Sequence, residues 1–190
     1  MLILASTSPI RRQLLAQAGV EVLILPPQVD EDAVKQDHDG DAAILALRLA
    51  EAKALSVDRP GELVIGSDST LTVDGRSFSK PRDRADAARH LQLFSGKEMI
   101  LSSAAALARD GVVEWNHVDQ ARLRVRPLSP EFIETYLETE WPAVAYCVGV
   151  FRMEGRGVTL FDAVEGSHFT ILGLPLLPLL GALRERGATA

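Results

Sequence analysis

Short apolar runs alternate with amphipathic stretches along most of the chain. Residues 2–5 are all apolar and predict a short buried strand. Ser8 can then cap a helix that Gly19 ends about three turns later. Residues 22–25 predict a second strand. The Ala- and Leu-rich residues 41–55 contain no helix breaker and predict a longer helix.

The middle of the chain adds hairpin signals to this pattern. Residues 63–65 predict a buried strand that ends close before Asp68, and Asp74-Gly75 is a typical two-residue hairpin turn. The other predicted elements are a helix over 83–94, strands over 99–108 and 112–125, a helix over 130–138, a strand over 158–164 and a terminal helix after Pro175. Because strands and helices alternate while hairpins are also present, the predicted class is α/β with a mixed sheet.

Composition and charge narrow the class of protein. The chain has 190 residues, 47% hydrophobic and 24% charged, which fits one ordinary globular domain. The net charge of −6 argues against a nucleic-acid partner, because such a partner requires a basic surface. The single cysteine, Cys147, excludes an internal disulfide and a multi-cysteine zinc site, and it fits a reducing compartment.

No apolar segment predicts a leader or a membrane span. The run from Met1 to Ala5 is too short for a signal peptide, and its arginines follow it. The longest apolar stretch, residues 169–183, is broken by Gly173 and by two prolines, whereas a membrane helix needs roughly 20 unbroken residues. We therefore expect a cytoplasmic protein with no membrane partner.

The strongest candidate for chemistry is the turn between the first strand and the first helix. Ser6, Thr7 and Ser8 precede a helix whose first turn carries Arg11 and Arg12. Cations there oppose the helix dipole, whereas free N–H groups and guanidinium forks together suit an anion such as phosphate. An ordinary capped helix with solvated arginines explains the same pattern equally well.

Lys53 and Asp68 are the next candidates. Lys53 shares a helix face with Leu45 and Leu49, so its ammonium either snorkels at the edge or enters a cleft. Asp68 could hold a divalent metal or accept a proton from water, although a turn or capping role is slightly more common for such an aspartate. A regular hairpin register would point Lys80 and Asp68 to opposite faces unless the ladder ends or bulges before Lys80.

Two acidic segments carry weaker signals. Residues 30–32 form an acidic run that predicts a solvated loop, or alternatively a carboxylate metal ligand. Glu154 stands beside glycine and could recognise a base. The four histidines show no paired ligand spacing. No Ser-His-Asp arrangement, Walker loop or dinucleotide-binding glycine motif is present in the sequence. Together, the candidates suggest a phosphate-rich ligand beside a divalent cation.

Several blocks resemble one known family. The segment from Leu4 to Arg12, followed by Leu14-Leu15, resembles the N-terminal signature of the Maf family of nucleoside triphosphate pyrophosphatases. The other similar blocks, in the same order as in the family, are Val29-Asp30-Glu31, Arg48 to Ala54, Ile65-Gly66-Ser67-Asp68, Lys80-Pro81, Leu93-Phe94-Ser95-Gly96 and Gly173-Leu174-Pro175-Leu176. The resemblance covers nearly the whole chain.

The resemblance implies a fold, an activity and a set of site residues. The fold would be a single domain over 1–190, similar to inosine triphosphate pyrophosphatases, with an elongated mixed sheet in two lobes and a central cleft. The enzyme would hydrolyse a nucleoside triphosphate to the monophosphate and diphosphate with Mg²⁺ or Mn²⁺. By matching position, the phosphate ligands would be Ser8, Arg11, Arg12, Lys53 and Lys80. The metal ligands would be Glu31 and Asp68, and Asp68 would also orient or deprotonate the attacking water.

The details of the resemblance favour one branch of the family. The block Pro27 to Glu31 and the block Glu154 to Phe161 resemble the branch that acts on 7-methyl-GTP. The dTTP/UTP branch usually has glutamine in place of Glu154, whereas a carboxylate accepts hydrogen bonds from the guanine N1–H and amino groups. A dTTP/UTP pyrophosphatase and a non-catalytic nucleotide-binding regulator of septum formation are the alternatives, and a homodimer is left open.

Overall fold

Strands and helices alternate along the chain as the apolar pattern predicts. The structure is a computed structural model, and it describes residues 1–38 and 40–189. In those residues the strands are β1 (Leu2–Ala5), β2 (Leu23–Leu25), β3 (Leu63–Val73), β4 (Arg76–Phe78), β5 (Glu98–Arg109), β6 (Val112–Val125) and β7 (Phe161–Glu165). The helices are α1 (Pro9–Gln17), α2 (Glu31–Gln36), α3 (Ala42–Leu55), α4 (Arg84–Phe94), α5 (Pro130–Glu140), α6 (His168–Ile171) and α7 (Leu176–Glu185).

The strands in these residues form one mixed sheet in the order β2-β1-β3-β5-β6-β7, and β4 pairs with β3. β1 runs parallel to both β2 and β3, with Leu4 opposite Ile24 on one side and Ile65 on the other. The pairs β3–β4 and β6–β7 are antiparallel. The predicted α/β class with a mixed sheet is therefore confirmed.

The chain divides into two compact units. The first unit contains residues 1–69 and 102–120 and the residues from Ser167 onward, and the second unit contains residues 70–101 and 121–166. None of the helices in the described residues combines the length and the apolar character that crossing a bilayer requires.

Alternate residues of the strands separate the core of the first unit into layers. Leu4 and Ile65 pack with leucines of α1 and α7 on one face of the strands. Ile3 and Val64 lie on the opposite face, where they form a second cluster with Ala5. This is the period of two expected of a strand that is buried on both faces. Between α3 and β5 the packing is made almost entirely of alanines, which are Ala46, Ala50, Ala54, Ala104, Ala106 and Ala108.

Gly66 allows α3 to approach β3 closely. A Cβ at Gly66 would lie 2.0 Å from the carbonyl oxygen of Ala50 and 2.5 Å from the backbone nitrogen of Ala54. Only a residue without a side chain fits at that distance, as is typical where two backbones nearly touch. This contact places the last turn of α3, which contains Lys53, over the strand that contains Asp68.

Two pairs of aromatic side chains pack within the second unit. Phe78 packs edge-on against Phe94 with ring centroids 4.8 Å apart, and Phe151 packs in the same way against Phe161 at 4.9 Å. The buried Tyr136 hydroxyl donates a 2.9 Å hydrogen bond to the carbonyl of Val150. This bond ties α5 to the segment that precedes β7.

The predicted hairpin is confirmed, including its register. Val73 lies opposite Arg76, and the β3–β4 ladder ends at the pair of Leu71 with Phe78. Lys80 lies beyond the end of this ladder. The regular register that would have set the direction of the Lys80 side chain therefore does not extend to it.

Three local predictions are wrong. Residues 30–32 are not a loop: Asp30 caps α2 by accepting a 3.0 Å hydrogen bond from the Ala33 N–H, and Glu31 and Asp32 suit the helix dipole in its first turn. Asp68 does not follow a strand, because β3 continues through the Ser- and Thr-containing residues 67–72. The last strand begins at Phe161, after a 3₁₀ turn, and not at residue 158.

The close approach at Gly66 makes the substitution Gly66→Ala strongly destabilising. The new methyl group has no free volume between two backbones, so we expect a loss of at least about 3 kcal/mol and a fall in Tm of roughly 10 °C. Thermal unfolding followed by circular dichroism measures this change.

The matched control is Gly181→Ala within α7. A Cβ at Gly181 has its nearest neighbour at 3.9 Å, in the flexible Arg184 side chain, so Tm should stay constant or rise slightly. Equal Tm values for Gly66→Ala and wild type would contradict the close packing of α3 on β3.

Candidate active site

A lysine and two carboxylates form a charged cluster in the first unit. The Lys53 Nζ lies 2.6 Å from Oδ1 of Asp68 and 2.8 Å from Oε1 of Glu31. The side chains of Lys53 and Asp68 are only 9% and 13% exposed. Buried charges persist only when they are paired, and here each partner supplies the other's counter-charge. The Lys53 ammonium therefore does not snorkel to the edge of the helix.

The cluster is built by three elements that contribute one side chain each. Glu31 is the first residue of α2, Lys53 lies in the last turn of α3, and Asp68 lies in the middle of β3. Lys53 shares the buried face of α3 with Ala46 and Leu49. The same apolar periodicity that buries α3 therefore directs its lysine to the strand.

Arg11 lies close to this cluster, but its guanidinium donates hydrogen bonds to acceptors of the protein itself. Its Nε donates to the carbonyl of Gly173 at 2.8 Å, and its Nη1 donates to the carbonyl of Ser67 at 3.0 Å. Burial lowers the pKa of the Arg11 guanidinium, whereas the nearby carboxylates of Asp68 and Glu31 act in the opposite direction. An arginine keeps its proton in proteins, so Arg11 adds a fixed positive charge beside Asp68.

Ser8 and Arg12 lie on the outer side of the same turn. Ser8 is the residue before α1, and its backbone N–H donates a 3.2 Å hydrogen bond to Oγ of the buried Ser6. Arg12 is exposed and lines a shallow cavity of about 570 Å³ together with Ala16 and residues 19–22. The structure thus brings Arg11, Glu31, Lys53 and Asp68 together and leaves Arg12 on the surface.

Sequence reasoning missed a buried network of hydroxyl groups behind Asp68. The hydroxyls of Ser69 and Ser103 are 2.8 Å apart, and the Ser103 hydroxyl donates to the carbonyl of Thr170 at 2.7 Å. The Thr170 hydroxyl donates in turn to Oδ2 of Asp119 at 2.7 Å. The available signal was the pair of serines at 102–103 inside an otherwise apolar strand.

Lys80 and Glu154 belong to the second unit, where the charges of both affect the pKa of one thiol, that of Cys147. Burial and, to a smaller extent, the negative charge of Glu154 raise the pKa of the Cys147 thiol to about 11. The positive charges of Arg152 and Lys80 oppose that shift. The charges of Lys80 and Glu154 therefore both reach Cys147, although the two residues are 74 positions apart in the numbering of the chain.

Glu154 lies on an exposed turn that an ion pair with a buried glutamate fixes to α5. Oε2 of Glu140, whose side chain is 5% exposed, accepts hydrogen bonds from Nε of Arg152 at 3.3 Å and from Nη2 at 2.9 Å. The Gly155 N–H closes the turn on the carbonyl of Arg152 at 3.1 Å. A Cβ at Gly157 would lie 2.4 Å from that same carbonyl oxygen, so the turn has little freedom.

Glu31 and Asp68 fit a hard divalent cation. Both carboxylates point to one positive group, the Lys53 ammonium, and carboxylate oxygens are the ligands that Mg²⁺ and Mn²⁺ prefer. Within the described residues, no group of three or more His, Cys, Asp or Glu side chains could hold a metal ion. A Mg²⁺ ion bound by one or two carboxylates takes its other ligands from substrate phosphates and water.

The comparisons with known proteins agree with the resemblance noted in the sequence. A family model described as "Maf-like protein" matches residues 1–186. The chain belongs to the Maf family. The residues of its blocks are those that build the cluster, since Glu31, Lys53 and Asp68 each lie in a Maf-like block of the sequence.

Relatives of this Maf chain are similar over nearly the full length. A protein of Rhizobium etli named "7-methyl-GTP pyrophosphatase" is 47% identical over 98% of this chain and 96% of its own. A protein of Nitrobacter winogradskyi named "Nucleoside triphosphate pyrophosphatase" is 45% identical over 97% of this chain and 93% of its own. A crystal structure of a dITP/XTP pyrophosphatase from Mycobacterium abscessus is 19% identical and covers 67% of this chain and 74% of its own, with a TM-score of 0.41.

Removing Lys53 should show how strongly the charges of the cluster stabilise each other. Lys53→Met should lower the free energy of unfolding by about 3 kcal/mol, because Asp68 then loses the counter-charge that contacts it. Adding Asp68→Asn to that variant should recover about 1–3 kcal/mol. Urea unfolding of the two single variants and the double variant measures the coupling.

The matched control is Lys35→Met on α2. The Lys35 side chain is 40% exposed and pairs with Glu31 at 3.8 Å in solvent, so its loss should change stability by less than about 0.5 kcal/mol. Additive effects of Lys53→Met and Asp68→Asn would contradict the paired burial of these two groups.

Proposed function

We propose that this chain is a nucleoside triphosphate pyrophosphatase that uses a divalent cation and hydrolyses 7-methyl-GTP to the monophosphate and diphosphate. The observation that carries the proposal is the buried Lys53 ammonium between Glu31 and Asp68. A positive charge and two metal-binding carboxylates at one point suit a polyphosphate with its cation. The names of the relatives that cover nearly the whole chain support the same activity.

The phosphates are bound by positive charge and by the start of α1. Lys53 supplies a compact ammonium, and the exposed Arg12 is available to a ligand at the beginning of α1, next to Ser8. Helix N-termini favour anions because their first N–H groups have no partner within the helix. Electrostatic stabilisation of the charge that develops on the phosphates is the expected main contribution to the rate. Lys80 is assigned to the phosphates by the resemblance alone.

Asp68 acts on the attacking water. The carboxylate accepts a proton from water as the water oxygen forms a bond to phosphorus, and the anhydride bond between the α- and β-phosphates breaks to release diphosphate. Glu31 and Asp68 would hold the divalent cation, which would neutralise part of the phosphate charge. Lys53 holds both carboxylates in place through its two short contacts.

Glu154 recognises the base. Its exposed carboxylate can accept hydrogen bonds from the N1–H and amino group of a guanine, and its negative charge favours the positive charge that methylation places on the ring. The ion pair between Glu140 and Arg152 fixes the turn that presents Glu154, so the backbone of this turn is in place before the ligand arrives. A cytoplasmic location stays a prediction from the sequence.

The pattern of products tests the activity. With Mg²⁺ or Mn²⁺, one diphosphate should appear for each nucleotide consumed, and Asp68→Asn should lower kcat by about 10²–10⁴ because the group that accepts the proton is lost. Asp58→Asn, which alters an exposed aspartate of the first unit, is the matched control and should retain the wild-type rate.

Three results would contradict this activity or the role of Asp68 in it. Release of inorganic phosphate in place of diphosphate would indicate a different reaction. Wild-type kcat in Asp68→Asn would show that Asp68 does not accept the proton in the reaction. Tight nucleotide binding with no hydrolysis would favour the alternative of a nucleotide-binding regulator.

The base preference is tested separately with Glu154→Gln. Because the amide brings a donor and loses the charge, we expect kcat/KM for 7-methyl-GTP to fall by about 10–100-fold relative to kcat/KM for UTP. Glu138→Gln, which changes an exposed glutamate of α5, should leave the ratio unchanged. A wild-type enzyme that prefers UTP or dTTP would support the other branch of the family.

A further inference from the structure

The guanidinium of Arg11 donates hydrogen bonds to several acceptors of the protein. It donates four hydrogen bonds, from Nε to Gly173 O at 2.8 Å, from Nη1 to Ser67 O at 3.0 Å and Ser6 Oγ at 3.5 Å, and from Nη2 to Ser69 Oγ at 3.2 Å. A guanidinium has five N–H donors in a rigid plane. Four of these five donors therefore have acceptors within the first unit.

Two of these acceptors flank Asp68. The carbonyl of Ser67 belongs to the peptide that leads into Asp68, and Ser69 is the residue that follows it. Lys53 contacts the carboxylate of Asp68, whereas Arg11 contacts the chain on either side of it. The fork of Arg11 thus fixes the backbone from which the Asp68 side chain projects.

A third acceptor anchors the fork to the segment between α6 and α7. Gly173 has a positive φ of 94°, and its carbonyl also accepts from the Ser67 hydroxyl at 3.2 Å. A Cβ at Gly173 would lie 3.3 Å from Oγ of Ser69 and 3.6 Å from Nη2 of Arg11. The space around the fork is therefore filled, and the contacts of Arg11 are fixed by the segment that contains Gly173.

The neighbouring arginine is placed quite differently. Arg12 is exposed on α1, where its charge is accessible to a ligand from solvent. Two adjacent arginines of one helix turn therefore point in different directions, one into a filled polar network and one to the surface. The resemblance to the Maf family assigns both arginines to phosphate binding, but their different surroundings indicate different roles.

We propose that Arg11 is a positioning residue, which fixes the backbone at Asp68 against the Gly173 segment, and that phosphate binding on this helix is the task of Arg12. The proposal deepens the proposed function and rests on it, since the position of Asp68 matters for hydrolysis. Its consequence is a division between the two arginines. Loss of the Arg11 fork impairs the chemical step, and loss of Arg12 impairs nucleotide binding.

The test compares Arg11→Lys with Arg12→Lys in steady-state kinetics with Mg²⁺ and 7-methyl-GTP. Arg11→Lys keeps the charge but loses the fork, so kcat should fall by roughly 10–100-fold while KM stays within about threefold. Arg12→Lys should raise KM with a smaller change in kcat. A second variant, Ser69→Ala, removes the acceptor of Nη2 and should lower kcat in the same way as Arg11→Lys, by a smaller factor.

A structural readout without substrate accompanies the kinetics. Hydrogen exchange of the amides at 66–70 should be faster in Arg11→Lys than in wild type, and it should be unchanged in Arg12→Lys. If Arg11→Lys does not fold, Ser69→Ala carries both measurements, because it keeps the arginine and alters one contact.

The outcomes separate failure of the proposal from failure of the activity. A raised KM with wild-type kcat in Arg11→Lys would make Arg11 a phosphate ligand and overturn the proposal, as would unchanged exchange at 66–70. An inactive wild-type protein would overturn the proposed function, and the exchange measurement would still decide whether Arg11 fixes this part of β3.

Discussion

The interaction on which the rest depends is the contact of one buried ammonium with two carboxylates. Lys53 lies within 2.8 Å of both Asp68 and Glu31 in a place with little access to solvent. Such an arrangement is stable only if the backbone holds all partners close, because an unpaired charge there would be costly. The absence of a side chain at Gly66 and the alanines between α3 and β5 allow that closeness. The close packing of the first unit therefore keeps these charged groups near enough to stabilise each other.

A comparable principle recurs in the second unit. Asp68 is flanked by the hydrogen bonds of Arg11, and the turn of Glu154 is fixed by the ion pair of Arg152 with the buried Glu140. In each unit, an arginine that donates two or more hydrogen bonds fixes the backbone beside a carboxylate to which we assign chemistry. Arginine suits this task better than lysine because its donors are planar and fixed in direction.

The local pattern of the sequence predicts most of the elements and part of the site. Lys53 is recognisable from the sequence because a lysine on an apolar helix face needs a buried partner, and Asp68 is that partner in the cluster. The start of α2 was missed because an acidic run is as typical of a loop as of a capped first turn. The contacts of Arg11 could not be predicted, since Ser67 and Gly173 are 56 and 162 residues away and their carbonyls carry no sequence signal.

The most direct test of the account is a crystal structure with a non-hydrolysable analogue of 7-methyl-GTP and Mg²⁺. We expect the phosphates to contact Lys53 and the start of α1, the cation to be bound by Glu31 and Asp68, and Arg11 to keep its bonds to Ser67 and Gly173. An analogue bound with its phosphates away from Lys53, or a cation that contacts neither carboxylate, would show that the cluster of Glu31, Lys53 and Asp68 is not the site of hydrolysis.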